Sequence, residues 1–376
     1  MDFEFTEEQK MFQKAIRDFA EKEMAPLVDE AEAKQEFPIG LFHRMGELGY
    51  IGMGMPEKYG GGGMGLTGEC IFKEEMSRIC AGITQSVVFL PPSFLDYVTQ
   101  EQRQKNLLPA IKGEKLLAFG LTEPNAGSDA GSVQTTATKD GDGYVINGQK
   151  IFITNGSIAD FVIALVVTDK EKGYRGLSAI IIETDTPGFS SRQLKKFGMH
   201  SANTGELTFD NCRVPKENLL GEEGRGFYYF MEGLDRYRPQ YAAQCLGIAQ
   251  AALDASIQYA KERTQFGQPI GTFEANSFKL VRMATLLEAA RSLVYKAAWL
   301  ADQGQGFTKE AAMSRYYAAE VVMWVTTEAL QIHGGYGLME ESPLHRYFRD
   351  AKFFSIMLGT TEICALVIAR LLTGLR

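Results

Sequence analysis

Residues 356–370 read IMLGTTEICALVIAR, a small-residue and apolar run with one acid, Glu362. Glu362 is either a catalytic base or a sign that the base has gone from this stretch. Other segments carry groups that could bind a ligand. FGLTEPNAGSD (119–129) has Pro, Asn and Gly to turn the backbone, hydroxyls on Thr122 and Ser128, and N–H groups around Gly127 that can hold an anion. KIFITNG (150–156) alternates Phe152 and Thr154 on what reads as one face of a strand, where a planar cofactor could rest. A plain connecting loop and a core aromatic beside a surface Thr are the simpler readings. ERTQFGQPI (262–270) and QIHGGYG (331–337) each close a helical pattern, and each alone reads as a helix C-cap, with His333 a packing residue. Gly334 and Gly335 allow close approach of a chain or ligand. YGGGGMG contains a formal GxGxxG at Gly60, Gly62 and Gly65, but no strand precedes it and no βαβ unit surrounds it, so it reads as a turn or loop.

The elements that must position these groups follow from periodicity. In TEEQKMFQKAIRDFAEKEM the apolar Phe12, Ala15, Ile16 and Phe19 share a helical face, and Thr6 to Gln9 fits a capping box. Residues 39–50, 66–80 and 92–112 continue the helical pattern. The period then shortens: YVINGQKIFITN predicts a hairpin at Asn147-Gly148, and 161–168, 177–184 and 205–215 read as strands. Long Ala-rich helices return at 235–264, 276–303, 308–333 and 360–373, which predicts an antiparallel four-helix bundle. The fold class is α+β: a helical domain (1–118), a β-barrel or sandwich (119–226) and a helical bundle (227–376).

A net charge of −8 argues against nucleic-acid binding. No run approaches the roughly 18 apolar residues of a membrane span. The five cysteines are scattered and odd in number, giving neither a disulfide framework nor a metal pair, so the expectation is no metal, a reducing compartment and a cytoplasmic location.

TEPNAGSD, INGQKIFITNG, FDNCRVPKENLLGEEGRGF, ERTQFGQPIG, QIHGGYG and GTTEI, in this order, resemble the acyl-CoA dehydrogenase flavoproteins. The resemblance extends over nearly the whole chain and implies the same helix–β–helix order. It implies an FAD cofactor and an acyl-CoA substrate. Phe119, Leu121, Thr122, Gly127 and Ser128 match the loop beside flavin and thioester. Phe152 matches an aromatic packed on the isoalloxazine, and Thr154 a hydroxyl near flavin N5. Arg263, Gln265, Phe266, Gln331, Gly334 and Gly335 match residues that hold the FAD of a neighbouring subunit, which implies a homotetramer. Thr360 and Glu362 match FAD-contacting positions after the catalytic residue. Arg238, with Asp235 beside it, matches the CoA cleft. The electron partner the family implies is an electron-transfer flavoprotein.

In this family a carboxylate removes the proton α to the thioester while the flavin takes hydride from the β carbon, and backbone N–H polarises the carbonyl. The chain departs from that pattern. Where the family's usual glutamate precedes GTS, it has Leu358, whose backbone N–H alone can serve. Where relatives carry a second-site glutamate on the long helix, LDRYRP places Tyr237. A phenol of pKa near 10 is a poor base at neutral pH. Tyr237 could donate or relay a proton together with Gln240, and Asp96 is a remote substitute in a pocket segment carrying Pro91-Pro92. Three readings follow: an FAD oxidoreductase of unusual direction or regiochemistry on an alicyclic or unsaturated acyl-CoA, a non-redox acyl-CoA lyase, or a silent flavin-binding subunit.

Overall fold

The computed structural model describes residues 4–375. Thr6 caps α1 (Glu7–Phe19): its hydroxyl accepts from Gln9 N, and the Gln9 side chain accepts from Thr6 N. Ile16 and Phe19 are buried, while Ala15 of the expected face is exposed. A π-helical turn (Ala20–Met24) leads toward α2 (Val28–Lys34) and α3 (Ile39–Glu47). The glycine run at 60–63 is a loop that ends where α4 (Gly65–Ile79) begins. Asp302 caps α4 from the far bundle, accepting from Leu66 N at 2.6 Å and Thr67 N at 3.0 Å.

After α5 (Ala81–Ser86) the expected single helix over 92–112 is broken. It consists of α6 (Phe94–Tyr97), α7 (Gln100–Gln102), a π-helical turn and α8 (Leu108–Ile111). Val98 and Thr99 are extended between the first two pieces, and Thr99 restarts the helix as a capping box, so one periodic stretch becomes two runs.

The β-domain holds β1 (Leu117–Gly120), β2 (Thr136–Asp140), β3 (Gly143–Thr154), β4 (Phe161–Val167), β5 (Leu177–Glu183), β6 (Phe189–Gln193), β7 (Thr204–Pro215) and β8 (Leu219–Leu220). The strands form one eight-stranded sheet in the order β6-β7-β3-β2-β4-β5-β8, with β1 parallel to β4. A single pairing, Thr136 to Val167, joins its two halves. They fold face to face over one core that takes Ile146, Phe209 and Val214 from one half and Val162, Ala164 and Ile180 from the other. β4 is buried on both faces: Phe161, Ile163 and Leu165 point instead to a second core shared with the N-terminal helices.

The hairpin expected at Asn147-Gly148 lies elsewhere. β3 runs through both residues with a register shift between Ile146 and Gly148, and the β2–β3 turn is at Gly141-Asp142. Gly148 is required because a Cβ there would lie 2.6 Å from Thr135 Oγ1.

The C-terminal region is α9 (Gly226–Glu262), α10 (Glu274–Asp302), α11 (Thr308–His333), α12 (Leu344–Phe353) and α13 (Thr361–Thr373), with a two-strand ribbon, β9 (Thr264–Gln265) and β10 (Gln268–Pro269), after α9. α9, α10, α11 and α13 are the expected bundle, although α9 starts nine positions before residue 235. Ala242, Ala249, Ala252, Ala290, Ala318 and Ala329 let these helices approach closely.

Candidate active site

Between α12 and α13 the chain turns through residues 354–360. Leu358 (φ +58°) and Gly359 (φ +83°) are both left-handed. Gly adopts this freely, whereas Leu does so at a cost of about 1 kcal/mol, so something must hold it. Arg315 on α11 does: its Nη2 donates to Met357 O at 2.9 Å. Met357 and Leu358 pack against the bundle core that contains Tyr237 and Tyr241. Among the described residues Leu358 N–H has no backbone acceptor, so it is free to polarise a carbonyl. Thr360 caps α13, accepting from Ile363 N at 3.3 Å. Glu362 sits exposed in the first turn of α13, and hydrogen bonds from its own backbone N–H and from Thr360 hold its carboxyl below the ordinary value. It is an ionised helix-end acid and has none of the raised affinity for protons that a buried base needs.

The two candidates on α9 are committed elsewhere. Tyr237 is buried and its hydroxyl donates to Phe89 O at 2.8 Å. Burial pushes its phenol well above 10. Gln240 Nε2 donates to Glu69 Oε2 at 2.7 Å, and Glu69 also pairs with Arg236 at 2.8 Å, so Gln240 serves an α4–α9 contact and forms no relay with Tyr237. Asp96 is exposed and accepts from Tyr59 Oη at 3.0 Å, a surface position. Arg238 is buried and paired with Asp235, whose other oxygen accepts from Thr308 Oγ1 at 2.6 Å. These two therefore hold α9 against the start of α11.

Three groups missed by the sequence reading complete this region. Gln85 on α5 donates through Nε2 to Tyr241 Oη at 2.8 Å and to Thr154 Oγ1 at 3.4 Å. Tyr241 lies one helical turn beyond Tyr237, a spacing that could have drawn attention to it. Arg315 is completely buried, and its Nε and Nη1 meet no acceptor among the described residues. The buried carboxylates all have partners. Glu69 has Arg236, Glu74 has Arg291 and Tyr295, Glu75 has Arg17, Glu123 has Lys150, and Asp350 accepts from Met199 N.

The flavin-side candidates lie around β1 and β3. Phe119 packs edge-on against Tyr237 at 5.8 Å. Leu121 O accepts from the buried Lys150, and Thr122 O from Ile151 N, tying the loop to β3. Gly127 and Ser128 are exposed beyond it. β3 shifts register between Lys150 and Ile153, and Phe152 takes φ +61°. The expected alternation survives the shift: Ile153 turns into the core, while Phe152 is exposed and Thr154 half-buried. On the bundle, Arg263 stands over the Tyr336 ring at 5.8 Å, and Tyr259 stacks on His333 at 4.3 Å. The two helix-end motifs thus form one patch carrying Gln265, Phe266, Gln331, Gly334 and Gly335, all exposed.

Residues 6–114, 118–212 and 224–373 match the sequence models of the acyl-CoA dehydrogenase N-terminal, middle and C-terminal domains. The chain is 48% identical over 376 residues to the probable acyl-CoA dehydrogenase YngJ of Bacillus subtilis, covering 98% of this chain and 99% of that one. It is 46% identical to the acryloyl-CoA reductase (NADH) of Anaerotignum propionicum, covering 98% and 95%. It superposes on butyryl-CoA dehydrogenase of Megasphaera elsdenii with a TM-score of 0.95 at 45% identity, covering 99% and 100%. The chain belongs to the acyl-CoA dehydrogenase family. It is an FAD-dependent oxidoreductase of the acyl-CoA dehydrogenase type.

The residues present fit that cofactor. Phe152 is 66% exposed and Phe266 93% exposed, both at positive φ, so two aromatic faces are held outward at conformational cost. A Cβ at Gly335 would meet nothing within 4 Å, so packing within this chain does not explain it, whereas Gly334, at φ +57° and ψ −136°, takes a backbone conformation that calls for glycine. When bound, FAD supplies hydride transfer at the substrate's β carbon.

Proposed function

We propose that the chain acts on the Cα–Cβ bond of an unsaturated acyl-CoA in the reducing direction, without a carboxylate at the α carbon. The observation that carries this reading is Leu358, which fills the turn with an apolar side chain while every buried carboxylate among the described residues is paired elsewhere. Removing an α proton needs a base, whereas reduction needs only a donor to the developing carbanion, and a neutral hydroxyl suffices. The similarity to a protein named acryloyl-CoA reductase supports the direction. Leu358 N–H polarises the thioester carbonyl, Thr154 and Phe152 hold the flavin, and Gly127 and Ser128 lie beside the thioester. With Asp96 on the surface, oxidation of an alicyclic ester through a remote acid loses its acid.

The same proposal makes the protein a cytoplasmic homotetramer, divided at 118/119 and 226/227, that exchanges electrons with an electron-transfer flavoprotein. All five cysteines are free and buried, as suits a reducing compartment. No helix among the described residues is long and apolar enough to cross a membrane. Phe278, Val281 and Trp299 on α10 and Leu366, Leu371 and Leu372 on α13 are large and exposed, an apolar surface that subunit contact would cover. In a homotetramer, Arg263, Gln265, Phe266, Gln331, Gly334 and Gly335 serve the neighbouring FAD.

The test is anaerobic flavin absorbance. Dithionite-reduced enzyme regains its oxidised spectrum when a reducible enoyl-CoA is added. Product without any flavin change would instead mean lyase chemistry, and neither product nor change across a panel of esters would mean a silent subunit.

A further inference from the structure

The Gln85 amide joins Tyr241 to Thr154. Nε2 carries two hydrogens, and both are placed: one on Tyr241 Oη at 2.8 Å, one on Thr154 Oγ1 at 3.4 Å. Gln244 Nε2 approaches Gln85 Oε1 at 3.4 Å, while Gln244 Oε1 is buried without a partner among the described residues. Tyr241 is therefore an acceptor in this bond and keeps its own O–H. Among the described residues no acceptor takes that proton. Tyr237, four residues earlier, differs: its proton is already given to Phe89 O. Tyr241 also lies on the side of the turn, its ring 6.4 Å from Phe354 and 6.5 Å from Tyr237, in the core against which Leu358 packs. Thr154, two hydrogen bonds away through Gln85, is the candidate flavin-side hydroxyl.

We propose that Tyr241 is the proton donor to the substrate α carbon and that Gln85 is its positioning residue. This rests on the reducing direction proposed above. As the carbon–carbon π bond is consumed, the β carbon takes the hydride that reduced flavin supplies. The Tyr241 O–H bond breaks as the new Cα–H bond forms. The phenolate left behind accepts the Gln85 N–H, lies near the Arg315 guanidinium and regains a proton from solvent. Burial raises this phenol above 10, while the Gln85 bond and then the Arg315 charge pull it back, so at neutral pH it is a proton donor and a weak base. That asymmetry matches a site with no carboxylate at 358.

The test follows the reducing half-reaction. Dithionite-reduced holoenzyme is mixed anaerobically with crotonyl-CoA in H2O and in D2O, flavin reoxidation is followed by absorbance, and α-deuterium in the product by mass spectrometry. The wild type is expected to reoxidise with a solvent isotope effect and to place deuterium at the α carbon. In Tyr241→Phe reoxidation falls about 100-fold, the scale of general acid–base catalysis, with FAD content and crotonyl-CoA Kd unchanged. Gln85→Leu keeps the phenol and loses its support, and reoxidation falls about 10-fold at the same Kd. Wild-type reoxidation in Tyr241→Phe overturns the proposal. Should Tyr241→Phe fail to retain FAD, Gln85→Leu decides: unchanged reoxidation there overturns it. A wild type that no enoyl-CoA reoxidises overturns the reducing direction instead, so the two failures are distinguishable.

Discussion

Arg315 donates to the carbonyl of Met357 at 2.9 Å, so a guanidinium with no exposed surface holds the residue immediately before Leu358. Its Nε and Nη1 are unpartnered among the described residues, and burial pulls its pKa below the ordinary guanidinium value. An isolated buried charge is costly, so its retention suggests a task at the turn. In Arg315→Met, relief of that charge and loss of the hydrogen bond oppose each other. We expect unfolding stability to change by less than about 2 kcal/mol, while affinity for an acyl-CoA falls about 10-fold as Leu358 N–H loses its fixed direction. Urea unfolding and ligand titration measure the two effects. Unchanged affinity would remove Arg315 from the site.

Phe266 is 93% exposed, with φ +50° and one edge contact, to Phe273 at 6.0 Å. If it serves a neighbouring FAD, Phe266→Ala weakens FAD retention by about 10-fold, the scale of one aromatic contact. The apoprotein Tm should stay within about 2 °C, because little packing is lost. An unchanged FAD Kd would take this residue out of the cofactor site.

Asp350 lies at the meeting of all three domains, accepting from Met199 N beside Glu32, and burial, then the Glu32 charge, raise its carboxyl from 3.8 to about 7. An acid with a raised folded value holds its proton longer in the fold than in the unfolded chain. Folding stability is therefore lost as pH climbs from about 4 to about 7, and no further loss follows above that. Asp350→Asn removes this slope. Relative to wild type the variant should gain stability with rising pH, by at most about 1.4 kcal/mol per pH unit, and only within that window. Parallel urea curves at pH 5 and pH 8 show it. A constant difference between the two proteins would mean that Asp350 titrates normally.

The helix–β–helix order was legible because period 3.6 and period 2 occupy separate stretches of the chain. Local punctuation was less decisive. Asn147-Gly148 and Gly141-Asp142 are both adequate turn signals, and what selects between them is the pairing of β2 and β7 with β3, a non-local fact. Leu358 was legible only through the family resemblance, which places a glutamate immediately before the glycine that is Gly359 here. Gln85, Tyr241 and Arg315 were not, since each sits in a run that reads as ordinary packing. A polar residue inside an apolar pattern acquires meaning only when its partner from another element is known: Thr154 and Tyr241 for Gln85, Met357 for Arg315. Tyr237 and Gln240 failed as a relay for the same reason, because Phe89 O and Glu69 claim them from other elements.

The central claim is that the turn lacks a carboxylate and that this sets the direction of the reaction. Leu358→Glu tests it directly, since Leu and Glu bear the φ of +58° at comparable cost and the backbone N–H is kept. The measurement is the rate of anaerobic flavin bleaching when a saturated acyl-CoA is mixed with oxidised enzyme. Bleaching is expected to be slow in the wild type and about 100-fold or more faster in Leu358→Glu, as a general base is restored. Fast bleaching in the wild type that slows in Leu358→Glu would contradict it.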